Sequence, residues 1–146
     1  MSSNLGARHR REIVADGEAP DRAAKTILVA EDEPAVRAVV GEVLQRHGYD
    51  VLEAADGAAA LELAALHGGP IHLLLTDIHM PRLDGQELHR KLTAERPETR
   101  TLFMTGLPPA GVHKGAPLLC KPFSTELLVQ KVREVLHGPT GRDARR

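Results

Sequence analysis

The 146-residue chain has no tryptophan, one tyrosine, two phenylalanines and a single cysteine, and these shortages already bound what it can be. A lone Cys120 cannot close an internal disulfide, so a disulfide scaffold is excluded and a reducing cytoplasm is the expected compartment. Three aromatics (Tyr49, Phe103, Phe123) are too few for a base-stacking platform on single-stranded nucleic acid, and they leave the core to Leu, Val, Ile and Ala. Long apolar runs are missing too, so neither a signal peptide nor a membrane span is expected. Net charge is almost absent: 19 Lys and Arg face 20 Asp and Glu, a formal -1. Nothing in that balance draws the bulk chain to nucleic acid or to an anionic membrane.

What is present suits one domain, since 42% of the residues are hydrophobic and the length excludes a large multidomain enzyme. The charge is unevenly spread: residues 1–25 carry +1, residues 138–146 carry +2, and the segment between them carries -4. Residues 1–24 and 139–146 read as flexible tails around a domain at 25–138. So little chain beyond the last helix leaves no room for a DNA-binding output domain of usual size, and direct contact with nucleic acid is not expected.

Short apolar runs alternate with amphipathic helical patterns, the mark of βα units on a parallel sheet. Strands are expected at Thr26–Ala30, Asp50–Ala54, Ile71–Thr76, Thr101–Thr105 and Leu118–Cys120. The first helix opens at Pro34, carries an apolar stripe of Val36, Val39, Val40, Val43 and Leu44, and ends before Gly48. Asp56, Asp84 and Ser124 are placed to cap the helices that bury Leu61, Ala64 and Ala65, then Leu88 and Leu92, then Leu128, Val132, Val135 and Leu136. Between Thr105 and Leu118 the rhythm fails, because six of the twelve residues 106–117 are Gly or Pro. The helix due there is expected to be short or missing.

In an open parallel sheet, sites form at the carboxyl ends of the strands. Those ends carry Glu31, Asp32 and Glu33, then Asp77, then Thr105, then Lys121-Pro122. Carboxylates gathered at one point repel unless a cation neutralises them, and a hard divalent ion such as Mg2+ suits an all-oxygen set. Magnesium commonly bridges carboxylate and phosphoryl oxygens, so the cluster reads as a phosphoryl-transfer site with one carboxylate as nucleophile and the ammonium and hydroxyl stabilising the group in flight.

Glu31-Asp32-Glu33-Pro34, Asp77-Ile-His-Met80-Pro81-x-x-Asp84-Gly85, Thr105-Gly106 and Lys121-Pro122-Phe123, in that order, resemble the receiver domain of two-component response regulators. The resemblance implies an α/β, flavodoxin-like fold of five parallel strands in order 2-1-3-4-5 with helices on both faces. It implies that Asp77 accepts a phosphoryl group from a histidine kinase or a histidine phosphotransfer protein, that Thr105 and Lys121 bind the phosphoryl oxygens, and that Glu31, Asp32, Asp77 and the backbone carbonyl of His79 hold Mg2+. It also allows a dimer formed on phosphorylation, and a cis peptide between Lys121 and Pro122. Such a protein assists its own phosphorylation and dephosphorylation and is not an enzyme in the turnover sense.

Several positions temper or refine this picture. Of the eight histidines, only His79 lies near the site; its side chain, with Leu107, occupies a position that can tune the lifetime of the phosphorylated state. Asp84-Gly85 reads as a structural helix cap, Glu33 as a solvated helix-start residue, and Cys120 as a small buried hydrophobe. Phe103-x-Thr105-Gly106 and the rudimentary helix resemble the Phe-Ala-Thr-Gly subgroup of receivers, although Met104 replaces Ala and Pro108 replaces Tyr. Leu118 stands where many receivers carry a switching aromatic, so readout is expected through residues 106–117. Two rival readings are an interaction module independent of phosphorylation and an aspartyl-phosphate hydrolase. The second is disfavoured because His79 occupies the place of the hydrolases' second acid.

Overall fold

The run Thr26–Ala30 is apolar on both of its faces because both are covered: all five residues of this strand, β1, are buried. The computed structural model describes residues 24–106 and 116–138. Along them lie α1 (Pro34–Arg46), β2 (Asp50–Ala54), α2 (Gly57–Leu66), β3 (Leu73–Asp77), α3 (Gly85–Glu95), β4 (Arg100–Thr105), β5 (Leu118–Cys120) and α4 (Thr125–His137). The five strands pair in parallel in the order β2-β1-β3-β4-β5, as the resemblance implied. Of the stretches read as tails, residues 1–23 and 139–146 lie outside the described residues, as do residues 107–115 with Leu107 and Pro108.

Alternation along the strands divides the core. Ile27, Val29, Leu73, Leu75, Leu102 and Met104 face α1 and α4, where they meet Val40, Leu44, Leu128 and Val132. Leu28, Ala30 and Leu74 face the other way, against Ala60 and Ala64 of α2 and Leu88 and Leu92 of α3. The core is aliphatic, as the scarcity of aromatics required; Phe103 is the aromatic that is fully buried among the described residues.

The helix ends follow local chemistry. Asp56, Asp84 and Ser124 each accept from the amide three residues on, at 2.8, 2.9 and 3.0 Å, as expected for their residue types. Gly48 closes α1 with a φ of 92°, a left-handed turn that glycine takes without cost. Two other helices end on arginines from distant sequence. Arg96 donates to the carbonyls of Ala64, His67 and Gly69 at 2.9, 3.0 and 2.9 Å, closing α2, whose last turn has no basic residue of its own. Arg100 donates to the carbonyls of Val135 and Leu136, closing α4.

Four expectations need correction. Val39 is 58% exposed and Ala65 is exposed, because each lies at the edge of its helix's apolar stripe. The third strand begins at Leu73, two residues after the expected Ile71, and runs through Asp77. Ile71 is buried all the same, but its carbonyl is taken by the Thr99 hydroxyl at 2.7 Å in place of a ladder partner. Cys120 is exposed, since Leu119 turns into the α1–α4 core and its neighbours point to the opposite face, at the edge of the sheet.

Arg96→Ala leaves three carbonyls at the end of α2 without their charged donor. It is expected to lower the unfolding free energy by about 2 kcal/mol, with Arg96→Lys recovering only part of that, as measured by urea titration of the helical circular dichroism.

Candidate functional site

Parallel pairing brings the carboxyl ends of the three central strands to one edge. β1 ends at Ala30, so Glu31 begins the following turn, and its amide donates to the Ala54 carbonyl of β2 at 3.1 Å. Asp77 is the last residue of β3 and lies opposite Met104. The Ile78 amide, just beyond it, donates to the Met104 carbonyl at 3.0 Å. Thr105 ends β4, and its carbonyl accepts from the Lys121 amide at 2.7 Å. That last bond fixes the start of Lys121 beside the ends of β3 and β4. The Lys121–Pro122 peptide is cis, as the resemblance implied.

The Lys121 ammonium sits between two carboxylates, 2.9 Å from Glu31 Oε1 and 3.1 Å from Asp77 Oδ2. Glu31 is fully buried, Asp77 nearly so, and Asp32 is exposed. These three acids each offer an oxygen within 4.8 Å of the others, an all-oxygen cluster able to hold a hard divalent cation such as magnesium. Thr105 is buried at the same edge, 1% exposed. His79, two residues after Asp77, has an exposed side chain. Glu33 is exposed at the N-terminus of α1 and makes no side-chain cap there, in keeping with its solvated reading.

Two supports went unread in the sequence. Arg37, one turn into α1, donates from Nη1 to the Glu31 carbonyl at 2.6 Å and so holds the turn that carries both Glu31 and Asp32. Its only sequence signal was a cation on the first turn of a helix that follows acids. Gly85 was read as part of a cap, yet a Cβ on it would run into the Asp77 carbonyl oxygen. Only glycine lets α3 start so close to the end of β3.

The electrostatics follow from burial. Desolvation pushes the Glu31 carboxyl above its ordinary range, outweighing its hydrogen bonds to Lys121 and to the Glu33 amide, and the nearby Asp77 charge pushes the same way. Burial pulls the Lys121 ammonium down, but the hydrogen bonds to Glu31 and Asp77, with the charges of both, outweigh it and leave the lysine above its usual value. A carboxyl held above its ordinary value binds its proton more tightly in the folded than in the unfolded chain. Stability therefore falls as the pH rises from 4.5 through the raised value of Glu31. Glu31→Gln is expected to raise the urea midpoint at pH 7 in EDTA, the gain shrinking as the pH drops toward 4.5. An unchanged or lower midpoint contradicts this account of Glu31.

Known proteins carry the same arrangement of sequence and fold. A family model described as the response regulator receiver domain matches residues 27–133. The response regulator receiver protein CpdR of Brucella abortus is 37% identical over 118 residues, covering 77% of this chain and 97% of the relative. Sensor kinase CckA of the same organism is 37% identical over 117 residues, 76% of this chain, and this chain spans only 12% of that kinase's length. The crystal structure of the receiver domain from hybrid histidine kinase CckA superposes with a TM-score of 0.68 at 38% identity, covering 77% of this chain and 99% of that one. On the family match over residues 27–133, the 37% identity to a relative covered almost throughout, and the sheet order, the chain belongs to the receiver-domain family of two-component response regulators.

Proposed function

We propose that the receiver unit, residues 25–138, accepts a phosphoryl group on Asp77 in a magnesium-dependent reaction and then signals or relays through protein contacts. The observation that carries this reading is the Lys121 ammonium set between Glu31 and Asp77. A compact cation so close to a carboxylate at the strand ends is where the oxygens of an incoming phosphoryl group need charge.

In this reading an Asp77 oxygen forms the O–P bond as the N–P bond of a partner's phosphohistidine breaks. Lys121 exchanges part of its pairing with the carboxylates for the phosphoryl oxygens. The Thr105 hydroxyl supplies a short donor from the end of β4. Glu31, Asp32 and Asp77, with the His79 carbonyl, would hold magnesium, which offsets two of the three carboxylate charges and draws charge from the phosphoryl oxygens. Burial of Glu31 fits such a role, since a buried carboxylate beside another needs a counter-charge.

The phosphodonor is a histidine kinase or a histidine phosphotransfer protein, a reading supported by family membership and by a relative that is itself a sensor kinase. The protein acts as a phosphoacceptor and not as a turnover enzyme. We assign it to the cytoplasm; among the described residues no helix is long and apolar enough to cross a membrane.

Mass spectrometry after incubation with acetyl phosphate and magnesium tests the reading. The wild type is expected to gain one alkali-labile phosphate, EDTA to prevent the gain, and Asp77→Asn to show none. Lys121→Ala is expected to gain it at least about tenfold more slowly. A wild type that gains no phosphate, or an equal gain in Asp77→Asn, overturns the assignment.

A further inference from the structure

The loop between Asp77 and α3 is fastened at several points. At its base, the Gly85 amide donates to the Ile78 carbonyl at 2.8 Å, and across Arg82 the Leu83 amide donates to the Pro81 carbonyl at 2.8 Å, closing a three-residue turn. At its centre, Arg82 has a φ of 70°, a left-handed conformation that a non-glycine residue keeps only when its surroundings hold it there. A second contact on Arg82 comes from another part of the chain. Exposed Arg82 donates from Nη2 to Oδ2 of half-buried Asp56 at 2.5 Å. The other oxygen of that carboxylate, Oδ1, accepts from the Ala59 amide at 2.8 Å as the cap of α2. The Ala59 amide first, and Arg82 second, keep the Asp56 carboxyl below its ordinary range. Gly57, next to Asp56, touches the same loop: a Cβ there would lie 2.6 Å from the Leu83 carbonyl oxygen.

The pair therefore joins the N-terminus of α2 to a loop that contains His79, three residues before Arg82. We infer that the Asp56–Arg82 pair is a positioning element for the magnesium site, holding residue 82 left-handed so that the His79 carbonyl stays where a cation on Glu31, Asp32 and Asp77 can meet it. The inference rests on the reading of the site proposed above. Without the ion pair, a non-glycine residue at 82 relaxes out of the left-handed region and the loop must be reordered each time a cation binds.

Calorimetric titration of the full chain with magnesium, at fixed ionic strength, separates the alternatives. Arg82→Ala is expected to bind about fivefold more weakly, the factor set by the lower end of the cost of a left-handed non-glycine backbone. Arg82→Gly also lacks the guanidinium but takes a positive φ freely, so it is expected to keep wild-type affinity. Asp56→Asn, which can still cap α2, is expected to weaken binding in the wild-type background and to add nothing to Arg82→Ala. A merely stabilising role for the pair would lower the melting temperature of both Arg82 variants and leave magnesium affinity unchanged. Equal affinity in Arg82→Ala and wild type, or equal weakening in the Ala and Gly variants, overturns the positioning role alone. A wild type with no magnesium binding that Glu31→Gln abolishes overturns the site reading, and this inference with it.

Discussion

Three carboxylates held within 4.8 Å of one another set the terms for the whole carboxyl edge of the sheet. Like charges that close repel, and burial of Glu31 removes the water that would soften the repulsion. Lys121 is the counterweight, reaching Glu31 and Asp77 together, and its own amide is tied to the end of β4. Arg37 adds a second cation behind the β1 turn. A nearly neutral chain thus hides an acidic centre, because three carboxylates of the segment 26–137, net -4, are gathered at one point.

The fold serves this edge by making its positions rigid. Each strand that contributes an acid is buried on both faces, so the ends of β1 and β3 are set by two layers of aliphatic packing. The turns beyond those ends are tied across the sheet, Glu31 to Ala54 and Ile78 to Met104. The loop after Asp77 is the less regular part, and it is supported by glycine at Gly85, by the close approach of Gly57 and by the carboxylate of Asp56. The end of a rigid strand, at Asp77, and the tied turn beyond β1 thus carry the acids, while a braced loop carries the backbone group expected to complete the site.

Features governed by neighbours in sequence were legible from it. Asp56, Asp84 and Ser124 cap helices because a short acceptor three residues before a free amide is a local arrangement. The strand-end residues Glu31, Asp77 and Lys121 were legible as a group because parallel pairing gathers the strand ends whatever the strand order. The order itself came from resemblance to a family and not from any pattern of polarity. What stayed hidden depends on distance: Arg96 and Arg100 close helices 32 and 36 residues away, and nothing adjacent to either announces it. The left-handed backbone of Arg82 was equally hidden, since arginine carries no preference for it. Cys120 was misread because burial of a small residue at a sheet edge depends on what covers that face.

The central claim is that Asp77, among the acids gathered at the edge, is the one that takes the phosphoryl group. Borohydride reduction converts an aspartyl phosphate to homoserine, so reducing the protein after treatment with acetyl phosphate and magnesium, then mapping its peptides by mass spectrometry, locates the modified residue. The account predicts homoserine at position 77 alone. Homoserine at Asp32 or Asp84, or none at any position, would contradict it.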